Sequence, residues 1–170
     1  MQISQLQVAH DVVEDRLILR VATQANEEFR VFITRRFLRE LWPSLTSLLS
    51  GALASAPKPP PGSAAAPAPA SGFEQPFREE NPNYPLGSRP LLASEAKFEG
   101  LGEGLARLTF REGRERSFNL NCNSELLQVL CTMLRAASDK AAWDLALDYG
   151  KPPGQEVPPP VASSGSSLLH

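Results

Sequence analysis

Histidine and cysteine are scarce in this chain of 170 residues, with two of each. His10 falls in a turn-like stretch and His170 is far from it, so no Ser/His/Asp or Cys/His set can be drawn from the spacing. Cys122 and Cys131 form no CxxC pair and have no histidine nearby, which excludes a disulfide framework and a zinc pattern. An excess of charge of one sign is also missing. Seventeen basic and nineteen acidic residues leave a net charge of −2, so bulk phosphate neutralisation of a nucleic acid is not advertised. Long apolar runs are absent as well. The nearest, Leu38–Ala54, is interrupted by Arg39, Glu40, Pro43 and serines, and is not a membrane span. The first residues have neither a basic nor an apolar region of the kind a secretory signal needs, so cytoplasmic residence is the expectation.

Proline is plentiful instead. Its sixteen copies gather mostly in Ala56–Pro90 and Lys151–Pro160, where large apolar residues are few. Setting those stretches and their flanks aside leaves about 110 residues, roughly 1–50 and 91–149, enough for one modest core and too few for two. The expected organisation is a first repeat over 1–51, a disordered Ala/Pro linker over 52–72, and a Pro-rich strap or partner-binding segment over 73–90. A second repeat over 91–149 and a disordered tail over 150–170 follow.

The first block reads as three strands and a helix. Ile3–Ala9, Arg16–Thr23 and Glu28–Ile33 alternate apolar and polar residues. Asn26, which tolerates φ > 0, turns the second hairpin. Thr34 is an N-cap, apolar residues at 37, 38, 41, 42, 45, 48 and 49 form a helical stripe, and Gly51 is expected to end it. Pro43 predicts a kink or a fresh helix start. In the second block Leu91–Glu99 is strand-like, and Leu105–Phe110 and the stretch carrying Phe118, Leu120 and Cys122 form a hairpin about Glu112-Gly113. Asn123 caps a helix that Ser138–Lys140 interrupts. Trp143, Leu145, Leu147 and Tyr149 then alternate with polar or small residues, which predicts a closing strand.

Laying Phe29 on Phe118 without a gap brings Val31 onto Leu120, Thr34 onto Asn123, Leu38 onto Leu127, Leu41 onto Leu130 and Trp42 onto Cys131. Backward, Val21 meets Phe110 and Leu19 meets Leu108. Agreement across strand, turn, cap and helix predicts an α+β fold of duplicated β-β-β-α units. Each has an antiparallel sheet and one helix, with an apolar face that the other must cover. The expected arrangement packs the two about a pseudo-twofold axis into one core, as an isologous dimer does.

Candidate binding residues lie on the polar strand faces and at one helix start. Arg20, Arg30 and Phe32 in the first block, with Arg107 and Arg111 in the second, offer stacking and phosphate contacts to a single strand of nucleic acid. With one aromatic on the face and a negative net charge, the favoured reading is a solvated face on which the arginine stems cover apolar surface. Arg35, Arg36 and Arg39 crowd the start of the first helix, where cations oppose the helix dipole, whereas Ser124 and Glu125 occupy the positions equivalent to Arg35 and Arg36. That asymmetry points to an anionic partner or to the chain's own acids. Gly100–Gly104 is read as a plain turn, because a strand rather than a helix follows it.

In outline, the sheet-then-helix plan repeated over 1–50 and 91–149 is similar to PUR-repeat and Whirly-like single-strand nucleic-acid-binding proteins. Those repeats typically carry four strands before the helix, and three are read here. The pattern implies a fold and carries over no functional residue. The first functional expectation is a non-enzymatic binding or scaffold protein acting through protein–protein contacts, with an unknown protein partner or a second copy of itself. The second is a single-stranded DNA- or RNA-binding protein, and the third an enzyme of unrecognised type. No catalytic residue, metal ligand, cofactor or membrane partner is expected.

Overall fold

The computed structural model describes residues 1–58, 76–77 and 81–149. The fold is α+β, with two sheets and two helices. Strands β1 (Ile3–Asp11), β2 (Arg16–Thr23) and β3 (Glu28–Thr34) precede helix α1 (Arg35–Ser55). Strands β4 (Leu91–Leu92), β5 (Glu95–Gly102), β6 (Leu105–Glu112) and β7 (Arg116–Asn123) precede helix α2 (Ser124–Lys140). One sheet has the order β1-β2-β3-β4, with β4 parallel to β3 and the other pairs antiparallel. The other is antiparallel, in the order β5-β6-β7.

Strand alternation decides which face is buried. Leu17, Leu19 and Val21 of β2 point inward with Val31 and Ile33 of β3. Ala106, Leu108 and Phe110 of β6 do the same with Phe118, Leu120 and Cys122 of β7. Both helices begin on a side-chain cap. Thr34 Oγ1 accepts from the Phe37 amide at 3.2 Å, and Asn123 Oδ1 accepts from the Leu126 amide at 2.8 Å. Buried residues of both blocks belong to one hydrophobic cluster. Helix α1 lies against β5 as well as β3, and α2 lies against β1 as well as β7. Phe29 of β3 stacks on Phe118 of β7, with ring centroids 4.7 Å apart.

Several local expectations are corrected. Helix α1 neither restarts at Pro43 nor ends at Gly51; it runs to Ser55. Its last turns are held from outside, since Ala52 is buried and Ser55 Oγ accepts the Gly104 amide at 3.1 Å. The first residues of the expected linker, 52–55, are therefore helix, and residues 59–72 of it lie outside the described residues. Leu91–Glu99 is not one strand. Ala93 donates its amide to Phe32 O in one sheet, and Ser94 donates to Arg111 O in the other, so the chain changes sheets between β4 and β5.

Gly100–Gly104 is only partly a turn. β5 extends to Gly102, and Gly104, at φ 76°, lies so close to the end of α1 that a Cβ would stand 3.0 Å from Ala56 Cα. Ser138–Lys140 is helical and does not interrupt α2. The stretch 143–149 forms no strand. Ala142, Asp144 and Ala146 have φ of 54°, 51° and 46°, and left-handed residues at every second position prevent an extended ladder. Burial still alternates, with Trp143 and Leu147 in the core. The tail over 150–170 lies outside the described residues.

Candidate interaction surfaces

The outer face of the first sheet carries Arg20, Arg30 and Phe32, and the chain itself covers much of it. Pro76 O accepts from Gln5 Nε2 over β1. The Phe77 ring lies 4.0 Å from the Arg20 guanidinium over β2, and the Tyr84 ring 4.2 Å from that of Arg30 over β3. Asn83 exchanges backbone hydrogen bonds with Asn26 and Glu28, which aligns this segment with β3. Arg20 also donates to the Glu28 carboxylate at 2.8 Å. Glu28 is almost fully buried and Arg20 only a quarter exposed, so each charge has its counterion where water is scarce. Arg30 Nη2 donates to Ser88 O. Phe32 has the Arg16 guanidinium 5.6 Å from its ring. The cation–aromatic contacts that a nucleobase would make with Arg20 and Arg30 are thus made by Phe77 and Tyr84.

The outer face of the second sheet has no such cover among the described residues. Arg107 donates to Asn121 Oδ1 at 3.0 Å, Thr109 to Asn119 Oδ1 at 2.8 Å, and Arg111 lies 3.9 Å from Glu95. No described aromatic ring joins this grid. At the start of α1, Arg35, Arg36 and Arg39 are all exposed. Arg36 pairs with Glu40 one turn along the same helix at 2.8 Å, which raises its pKa. Arg35 contributes weakly to the field at Asp15. The structure therefore does not gather the eight candidate residues into one site; they occupy two sheet faces and one helix end.

The cysteines are unsuited to nucleophilic work. Burial pushes the Cys122 thiol up to about 11 and Cys131 up to about 12, so both are protonated at neutral pH. Among the described residues no group of three or more His, Cys, Asp or Glu side chains is placed to hold a metal ion. No described helix is long and apolar enough to cross a membrane.

A different feature escaped the sequence reading. Helix α1 and strand β5 leave between them a groove of about 860 Å³. Ser44, Ser47 and Gly51 line the helix side, and Ala96, Phe98 and Gly100 the strand side. β5 borders its sheet, so alternate N–H and C=O groups on its outer edge lack a ladder partner among the described residues. A strand edge beside a groove is the geometry that receives an extended segment: the backbone supplies hydrogen bonds and the groove takes every second side chain. Small residues on the polar side of a helical stripe were the available signal. That they face β5 follows from packing between the two blocks.

Comparison with known proteins finds no matching family model, no matching curated protein and no matching solved structure.

Proposed function

We propose that this chain is a non-enzymatic module acting through protein–protein contacts, with the groove between α1 and the β5 edge as its contact site. The observation that carries the reading is the contrast between the two sheets. The first has its arginine-bearing face occupied by Phe77 and Tyr84, whereas the second has, among the described residues, an unpaired strand edge next to a groove. The single-strand nucleic-acid reading loses its best contacts to the chain's own aromatic rings.

The same proposal holds that the two blocks are copies of one β-β-β-α unit related by a pseudo-twofold axis. A single offset carries β2, Arg16–Thr23, onto β6, Leu105–Glu112, and the start of α1 onto the start of α2. The caps Thr34 and Asn123 correspond. Packing is reciprocal, with α1 on β5 and α2 on β1, as twofold symmetry requires. Phe29 and Phe118 correspond and also touch each other, which two equivalent residues do only beside the axis.

The test uses a randomised peptide library selected against the full chain, with amide hydrogen exchange to locate what is selected. Gly51→Leu is the informative variant. A Cβ at Gly51 meets nothing within 4 Å, so the new side chain enters the groove while the helix loses an unfavourable glycine. Selected peptides are expected to protect amides of Glu95–Leu101 and to lose binding to Gly51→Leu. Failure to select any peptide with the chain held dilute enough to be monomeric, or binding indifferent to that substitution, overturns the proposal. Micromolar binding of a single-stranded oligonucleotide with a steep salt slope would replace it with the nucleic-acid reading.

A further inference from the structure

We propose that the occupant of this groove is a second copy of the chain, joined through antiparallel pairing of β5 with β5 centred on Phe98; the inference rests on the groove being a protein-contact site. The charge pattern of the strand selects the occupant. Alternation puts Glu95, Lys97 and Glu99 on the outer face of β5 and Ala96, Phe98 and Gly100 on the face toward the groove, whose rim Lys97 also lines. In a twofold antiparallel pair, residues equally far on either side of the centre stand opposite each other.

Three centrings bear on these charges. Centring on Lys97 sets lysine against lysine and Glu95 against Glu99, and like charges directly opposite are destabilising. Centring on Ala96 sets Glu95 against Lys97, but Glu99 then falls opposite Ala93, where the chain has already left for β4. Centring on Phe98 sets each Lys97 against the other copy's Glu99, twice over. It also sets Ala96 against Gly100 on the groove side and keeps Ala96–Gly100 in register, short of the irregularity between Gly100 and Gly102.

A lone lysine on an edge strand is a common device against pairing. Here Lys97 has a glutamate two residues away on both sides. That arrangement repels generic partners and the wrong register, while fitting this chain's own strand. Within one copy Lys97 already reaches Glu99 at 2.9 Å, so both side chains lie along the exposed face where the pairing needs them. The added strand places a second α1 beside the first. Ser44, Ser47 and Gly51 on the groove side leave room for it. Leu105, about half exposed at the start of β6, lines the same groove. An isologous contact of this kind closes at two copies.

The experiment is sedimentation equilibrium of the full chain from about 1 to 100 μM, a range that brackets micromolar association. A dimer is expected. Lys97→Glu alone and Glu99→Lys alone should each weaken it at least about tenfold, and the two together should restore it, because the opposite charges return in exchanged places. Register is read by cysteine cross-linking. A mixture of Lys97→Cys chains and Glu99→Cys chains should form a disulfide-linked pair on mild oxidation, and neither should do so alone. A chain that stays monomeric throughout the range overturns the second-copy inference and leaves the groove to be judged by the peptide selection. A dimer that is indifferent to the charge exchange, to the cross-linking pair and to Gly51→Leu overturns both readings.

Discussion

The stack of Phe29 on Phe118 is the contact by which the arrangement of the two blocks can be measured. Phe29 belongs to the first block and Phe118 to the second, and no local sequence rule brings them together. Their centroids are 4.7 Å apart with planes inclined by 23°, and Phe118 is 3% exposed. An aromatic pair of this kind contributes about 0.5–1.5 kcal/mol beyond the area it buries. The perturbation is a double-mutant cycle of Phe29→Leu and Phe118→Leu. Leucine keeps most of the volume, so each single change is expected to cost about 1.5 kcal/mol or less, against a domain stability of roughly 5–15 kcal/mol. All four proteins should therefore be folded. The assay is urea unfolding followed by the fluorescence of Trp42 and Trp143, one from each block. With a slope of about 1–3 kcal/mol per M, a coupling of about 1 kcal/mol appears as a midpoint displacement of roughly 0.3–1 M from additivity. One transition is expected, because buried residues of both blocks form one cluster. Additivity within about 0.3 kcal/mol would show that the rings do not meet. Two separate transitions would refute the shared core itself.

Two further outcomes follow from the segment after α2. Its backbone amides close on the helix end in a Schellman-like turn, with Trp143 N donating to Ser138 O and exposed Ala142 left-handed at φ 54°. Ala142→Gly removes the Cβ clash at that position and should raise stability by about 0.5–1 kcal/mol in the same urea assay; a loss of stability would mean that the left-handed turn is absent in solution. The second concerns Asp15. The Trp143 indole N–H, which donates to Asp15 Oδ1 at 2.9 Å, and then the His10 ring hold this carboxyl below its ordinary value of 3.8. A depressed folded-state pKa contributes stability that is present above the unfolded value and is lost as pH falls through the folded one. The melting-temperature gap between the wild type and Trp143→Phe should thus be widest above pH 4 and shrink below it; a gap that ignores pH would remove the hydrogen bond from the account.

Less of the candidate site than of the fold was legible along the chain. Arg20, Arg30, Arg107 and Arg111 stand on outward strand faces because alternation puts them there. Alternation does not say which face stays open. Glu28 shares the outer face with Arg30, yet it is buried, since Phe77 covers its ion-pair partner Arg20 and Asn83 O accepts from the Glu28 amide, both from far along the sequence. Ser44, Ser47 and Gly51 read only as the polar side of a helix. They line a groove because α1 leans on a strand of the other block.

Local pattern by itself determined the inward residues of β2, β3, β6 and β7 and the caps Thr34 and Asn123. It determined these because side-chain alternation and amide capping act over a few residues. It likewise marked Trp143 and Leu147 as inward-facing, though not the backbone that turns them inward. Tertiary structure decided the rest. Helix α1 continues past Pro43 and Gly51 because Ala52 and Ser55 find partners in the second block. The chain leaves one sheet for the other at Ala93 and Ser94 because each residue bonds to a different neighbour. Energies of that kind depend on surfaces brought together from distant parts of the chain, and no window of sequence contains both sides.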